Sequence, residues 1–151
     1  MTARRAPRLA AVAAVAATAL LASGCAIEPT TDVTDQEARD RFIALVDAAE
    51  EVAGGAWQSQ DDPSPRECTI PLWVPGERIP ALRTGEAPRG DIDAMVTRME
   101  EHFTEQGLDT TVSDVGDVVE VRGESLAGEL LLFRVSETAM TLSGESECRP
   151  V

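Results

Sequence analysis

Two apolar periods in different parts of the chain constrain the fold more than any single residue does. Between Thr34 and Val52 apolar side chains recur at helical spacing, with Ala38, Phe42, Leu45, Ala49 and Val52 on one face. Thr34 followed by Glu37 is a capping box that starts this helix, and Gly54-Gly55 ends it. A second helix is capped by Asp91 and carries Ile92, Met95, Val96, Met99 and Phe103 at i, i+3, i+4 positions. Gly107 stops it, and Leu108 supplies the apolar contact that follows such a stop. Beyond Asp109 the period falls to two. Residues 111–115, 118–122, 129–135 and 139–144 read as strands separated by turn residues, the spacing of an antiparallel meander. Leu130 to Phe133 is apolar on both faces, which predicts a central strand. These elements predict an α+β domain, with two helices packed on one face of a mainly antiparallel sheet and a C-terminal four-strand meander.

The stretch between the helices is less regular. Ala56-Trp57-Gln58-Ser59 fits a short strand, and Asp61-Asp62-Pro63-Ser64-Pro65 is turn chemistry. Residues 68–74 form an apolar run that Pro71 confines to a sheet edge or a broken strand. Pro75-Gly76 is a turn signal that would fold residues 78–83 back as a hairpin partner, although Pro80 weakens that pairing. Trp73 is either a core residue or an exposed anchor for a partner, and interfaces favour exposed tryptophan.

Large side chains are scarce. Tyrosine is absent, and the aromatics are Phe42, Trp57, Trp73, Phe103 and Phe133. A domain of this size can bury a core, but so little aromatic area makes a covalent staple valuable. Besides Cys25 the chain has only Cys68 and Cys148, and we expect these two to form a disulfide. Two free thiols binding a metal are the alternative, but no neighbouring Cys or His completes a ligand set.

The N-terminal segment has its own signature. Arg4, Arg5 and Arg8 precede an alanine-rich apolar stretch, Leu9 to Ala22, and Ser23-Gly24 stands directly before Cys25. This resembles a bacterial lipoprotein signal peptide. The resemblance implies cleavage after Gly24 and lipid on the Cys25 thiol, which would hold the protein at the outer, extracytoplasmic face of the cell membrane. An uncleaved span is disfavoured because crossing hydrocarbon takes about 20 apolar residues. Cleavage by an ordinary signal peptidase is the other alternative, and the export route, general or twin-arginine, stays open. The expected organisation is a signal peptide over 1–24, a lipid-anchored tether over 25–33 and a single domain over 34–151. Extended, residues 26–33 reach at most about 30 Å, so the domain would sit close to its membrane.

Charge narrows the partners. Removing Arg4, Arg5 and Arg8 with the signal takes 13 basic residues to 10 against 27 acidic ones, so a net charge of −14 becomes −17. Such a domain repels nucleic acid and anionic surfaces as a whole, and no nucleic-acid partner is expected. Arg78, Arg83 and Arg89 stand out in a loop-rich segment of this acidic chain. They form a candidate partner-binding group with Trp73, suited to an acidic peptide or a phosphate, unless they pair with neighbours such as Glu77 and Glu86.

Catalytic signatures are weak. His102 is the single histidine, and with Glu105 it offers two of the ligands a metal site needs, so no metal or cofactor is expected. No serine lies in a G-x-S-x-G context. Paired carboxylates at Glu50-Glu51, Asp91-x-Asp93 and Glu100-Glu101 read as solvated faces. Asp61-Asp62, on a loop near Trp57, is the pair with most scope for a cation, but residues 58–64 lack the alternating oxygen donors of a calcium loop.

The order of a first helix, Trp57, Asp61-Asp62-Pro63, Cys68, a second helix ending in Gly107, paired strands and Leu142-Ser143-Gly144 before Cys148 resembles the LppA-type lipoproteins of mycobacteria and related actinobacterial lipoproteins. The resemblance implies a paired Cys68 and Cys148 with Trp57 packed near them, and no catalytic residues. We therefore expect a lipid-anchored binding or accessory protein of the cell envelope rather than an enzyme. The alternatives are a small hydrolase using two converging carboxylates, or a carrier holding an apolar ligand between helices and sheet.

Overall fold

The computed structural model describes residues 33–151, so the expected signal peptide, Cys25 and the expected tether up to Asp32 lie outside the described residues. Helix α1 spans Asp35–Ala53 and helix α2 spans Ile92–Glu105. Strands β1 (Trp57–Ser59), β2 (Arg66–Ile70), β3 (Val74–Arg78) and β4 (Pro80–Gly85) lie between them. Strands β5 (Asp109–Val115), β6 (Val118–Glu124), β7 (Leu130–Val135), β8 (Met140–Glu145) and β9 (Arg149–Pro150) follow α2. Among the described residues no helix is long and apolar enough to cross a membrane.

Local chemistry places both helices where the periodicity expects them. Thr34 Oγ1 accepts from the Glu37 amide at 3.2 Å while Glu37 Oε2 accepts from the Thr34 amide at 2.8 Å, so both arms of the capping box form. Asp91 Oδ1 accepts from the Ala94 amide at 2.7 Å at the start of α2. At its end the Gly107 amide donates to Thr104 O and the Leu108 amide to Phe103 O, which closes the last turn and buries Leu108.

The sheets divide the chain into two layers of unequal size. A six-stranded sheet has the order β1-β4-β8-β7-β6-β5, every pair antiparallel, with β5 to β8 running as the expected meander. A second, three-stranded sheet has the order β2-β3-β9. Both helices pack on one face of the larger sheet, and the core between them is filled by Phe42, Phe103, Phe133, Met99, Leu131 and Leu142. An added Cβ on Gly123 would meet Phe103 and Leu108 at 2.8 and 2.9 Å, so α2 approaches β6 as closely as a bare backbone allows.

Two local expectations are corrected. The buried face of α1 runs through Ala38, Phe42, Val46, Ala49 and Ala53, while Leu45 and Val52 are only half-buried. The helix is rotated toward its small residues because α2 packs beside it as well as the sheet beneath. Pro75-Gly76 is not a turn. It lies inside β3, where Pro75 pairs with Thr69 and Gly76 with Cys68, and the chain reverses at Pro71–Trp73 instead. Gly76 is needed for space: a Cβ there would lie 2.7 Å from Cys148 Sγ and 2.6 Å from the Arg149 carbonyl oxygen.

The disulfide forms as expected. Cys68 on β2 is bonded to Cys148, which lies between β8 and β9, so the bond fastens the end of the chain to the smaller sheet. Trp57 stacks over Gly85 of β4 and donates its indole N–H to Gly54 O at 2.9 Å. It therefore belongs to the core of the larger sheet, whereas the disulfide lies against Gly76 in the smaller one.

Candidate functional site

The arginines singled out by the sequence are separated by the fold. Arg78 pairs with Glu145 at 2.6 Å, and Arg66 approaches the other oxygen of that carboxylate at 3.6 Å. Arg89 is exposed and pairs with Glu86 at 3.4 Å. Arg83 is buried. Its guanidinium contacts Glu50 at 2.7 Å, Asp47 at 3.4 Å and Asp61. Burial acts to lower the Arg83 pKa, but the Asp61 hydrogen bond and the charges of Asp61, Glu50 and Asp47 outweigh it and hold the group above its ordinary value. Burial raises the Glu50 carboxyl, with Arg83 pulling it back. These three arginines therefore hold separate acids and share no partner.

The Asp61-Asp62 pair also diverges. Asp61 accepts from the Leu82 amide at 2.8 Å and joins the Arg83 cluster, while Asp62 accepts from the Ser64 amide at 2.9 Å. The backbone hydrogen bond from Ser64 lowers the Asp62 pKa, and both carboxylates brace the loop that leads into β2. His102 is half-buried beside Phe103. Among the described residues no three His, Cys, Asp or Glu side chains group closely enough to hold a metal ion.

A further network carried no signal in the sequence. Glu147 is fully buried and Glu129 nearly so, and Arg41 reaches both, at 3.5 and 3.1 Å. Arg149 contacts Glu147 at 3.0 Å and Asp35 at 3.1 Å, and donates to the Val33 carbonyl. Partners 88 to 116 residues apart have no spacing rule that would reveal them.

Two surface features among the described residues combine accessible apolar side chains with room for a ligand or partner. The first is the face of the six-stranded sheet opposite the helices. Leu82, Leu130 and Leu132 point there, and with Ser143 and Gly144 they floor a cleft of about 390 Å³. Gln60, Asp62, Arg66 and Glu145 also line it. The two-sided apolar pattern of Leu130–Phe133 thus has two causes. Leu131 and Phe133 enter the core, while Leu130 and Leu132 floor a partly open cleft. Glu50, the carboxyl raised by burial, is not among the residues lining this cleft.

The second feature is the tip of the β2–β3 hairpin. Leu72 is 69% exposed and Trp73 90% exposed, and both have positive φ, 71° and 63°. Trp73 is therefore the exposed alternative of the two its sequence position allows. A left-handed residue other than glycine costs roughly 1–2 kcal/mol, and glycine gives back part of that through its flexible unfolded chain. Leu72→Gly is accordingly expected to raise stability by about 1 kcal/mol in urea unfolding. An unchanged or lower midpoint would show that the side chain stabilises the turn.

No protein-family model matches this chain, and no curated protein does. Among solved structures it is similar to a DUF4853 family protein from Actinomyces odontolyticus. The two share 19% identity over 82% of this chain and 72% of the other, with a TM-score of 0.59. The likeness is one of fold.

Proposed function

We propose that the domain is a binding module of the bacterial cell envelope, lipid-anchored through Cys25 at the extracytoplasmic face, and that its ligand surface is the open sheet face floored by Leu82, Leu130 and Leu132. The resemblance to LppA-type lipoproteins belongs to this reading. The observation that carries it is that cleft. It joins an apolar floor to a rim of Arg66, Asp62 and Glu145, a combination suited to an amphipathic ligand or an extended partner segment. The helix–sheet interface, where a carrier would hold an apolar guest, is occupied by phenylalanine and methionine side chains. The acids that converge, Asp47, Glu50 and Asp61, surround Arg83, which favours binding over acid–base chemistry.

The test is a photo-crosslinking residue placed at Ser143 within the cleft, with one at exposed Leu126 as control, in the full chain in its native envelope. A single adduct from position 143 that Leu132→Glu abolishes is the expected outcome. Equal labelling from both positions, or none, would remove the cleft from the reading. In parallel, Cys25→Ser should move the protein from the membrane fraction to the soluble one, and unchanged fractionation would remove the anchor.

A further inference from the structure

The Leu72–Trp73 tip is strained, exposed and apolar, and nothing in the core needs it. Residues Cys68 to Gly76 carry no charge, a long uncharged stretch for so acidic a chain. Other exposed apolar residues are placed differently. Leu126 lies between Glu124 and Glu129, and Val115 beside Asp114 and Asp117. Pro71 and Pro75 flank the tip and lack amide N–H groups, which lowers the cost of taking this backbone out of water. Trp and Leu are side chains that settle at a membrane–water interface.

Position decides what the tip meets. Arg149 pairs through its backbone with Glu77 in the smaller sheet, and its side chain holds Val33 O and Asp35. The point where the tether enters the domain is therefore fastened to the sheet that carries the tip. Trp73 immediately precedes β3, four residues or about 13 Å from Glu77, the strand spacing and the Arg149 side chain between Glu77 and Val33 add about 10 Å, and the tether from residue 26 to 33 reaches about 30 Å at most. That reach exceeds the distance from the tether's fastening to the tip, so a lipid on Cys25 and the hairpin tip can meet one bilayer together. Arg66, at the rim of the cleft, pairs with Arg78 at the opposite end of this hairpin.

We infer that the Leu72–Trp73 tip inserts into the bilayer interface as a second contact beside the lipid on Cys25, and that it turns the Leu82–Leu130–Leu132 cleft away from the membrane. This rests on the reading of Cys25 as lipidated.

The test uses the full chain purified from its membrane fraction and reconstituted into phosphatidylcholine vesicles with brominated or ordinary acyl chains. Flotation reads the anchor, and tryptophan emission reads the tip. The expected result is that the protein floats and that its emission is blue-shifted and largely quenched by bromine. Trp73→Phe should retain only the unquenched emission of Trp57, and Leu72→Asp should still float but lose most of the quenching. Protein that floats while Trp73 stays red-emitting and open to aqueous iodide would overturn the tip contact and leave the anchor standing. Shielding of Trp73 that requires added envelope protein would make the tip a protein contact and overturn the inference likewise. Protein that does not float would remove both readings.

Discussion

Replacing Cys68 with serine is expected to lower stability by about 4 kcal/mol and the melting temperature by roughly 15 °C, because the bond closes a long loop whose freedom returns to the unfolded chain. The sequence separation is 80 residues. The smaller sheet has little else to hold its end: β9 is two residues long and pairs only with Gly76 and Glu77. Cys148→Ser should cost the same, and the double variant no more than either, since all three remove one bond. Calorimetry of the three variants checks this. A single variant that melts with the parent would mean that the hydrogen bonds and the Arg149 contacts suffice to hold β9 in place.

Arg83→Met is the second large effect. It leaves Glu50 and Asp61, whose side chains are 22% and 24% exposed, facing each other without the cation between them. Breaking a buried pair from one side costs about 3–5 kcal/mol, and with this partial exposure we expect about 3 kcal/mol. The sign of the pH dependence follows. Burial already raises the Glu50 carboxyl above its ordinary value, and losing Arg83 raises it further. A raised carboxyl favours the protonated folded state, so the deficit should be full near neutral pH and shrink as pH falls through that raised value. Urea unfolding at pH 7 and pH 5 reads this directly. Glu50→Gln added to Arg83→Met should recover part of the loss, and a deficit independent of pH would show that lost packing, not charge, carries it.

The sequence was most legible where structure depends on neighbours a few residues away. Thr34 with Glu37, Asp91 with Ala94, and Gly107 with Leu108 each act within one helical turn, so both helices lie where the pattern places them. The meander was legible for the same reason, since its strands are joined by short turns such as Gly116-Asp117 between Val115 and Val118. The Pro75-Gly76 turn failed because local turn chemistry cannot reveal that a backbone will be crossed by a disulfide. Gly76 is small to admit Cys148, and the reversal falls instead on Leu72 and Trp73, residues without turn propensity.

The candidate site was less legible still. Trp73 could be named but not placed, and Arg78, Arg83 and Arg89 are close in sequence yet hold three separate sets of acids. Leu130 and Leu132 could be recognised as apolar on the face opposite Leu131 and Phe133, but not as the floor of a cleft. What the sequence by itself determined is the set of helices and meander strands, the two cysteines available for pairing and the acidic balance, because periodicity, capping and composition are local or additive. Only the tertiary structure decided which acids surround Arg83, that Glu129 and Glu147 are buried beneath an exposed Arg41, that the sheet face over Leu132 stays open and that Leu72 and Trp73 project into solvent. Each of those depends on contacts between segments distant in the chain, whose pairing is set by packing the whole domain at once.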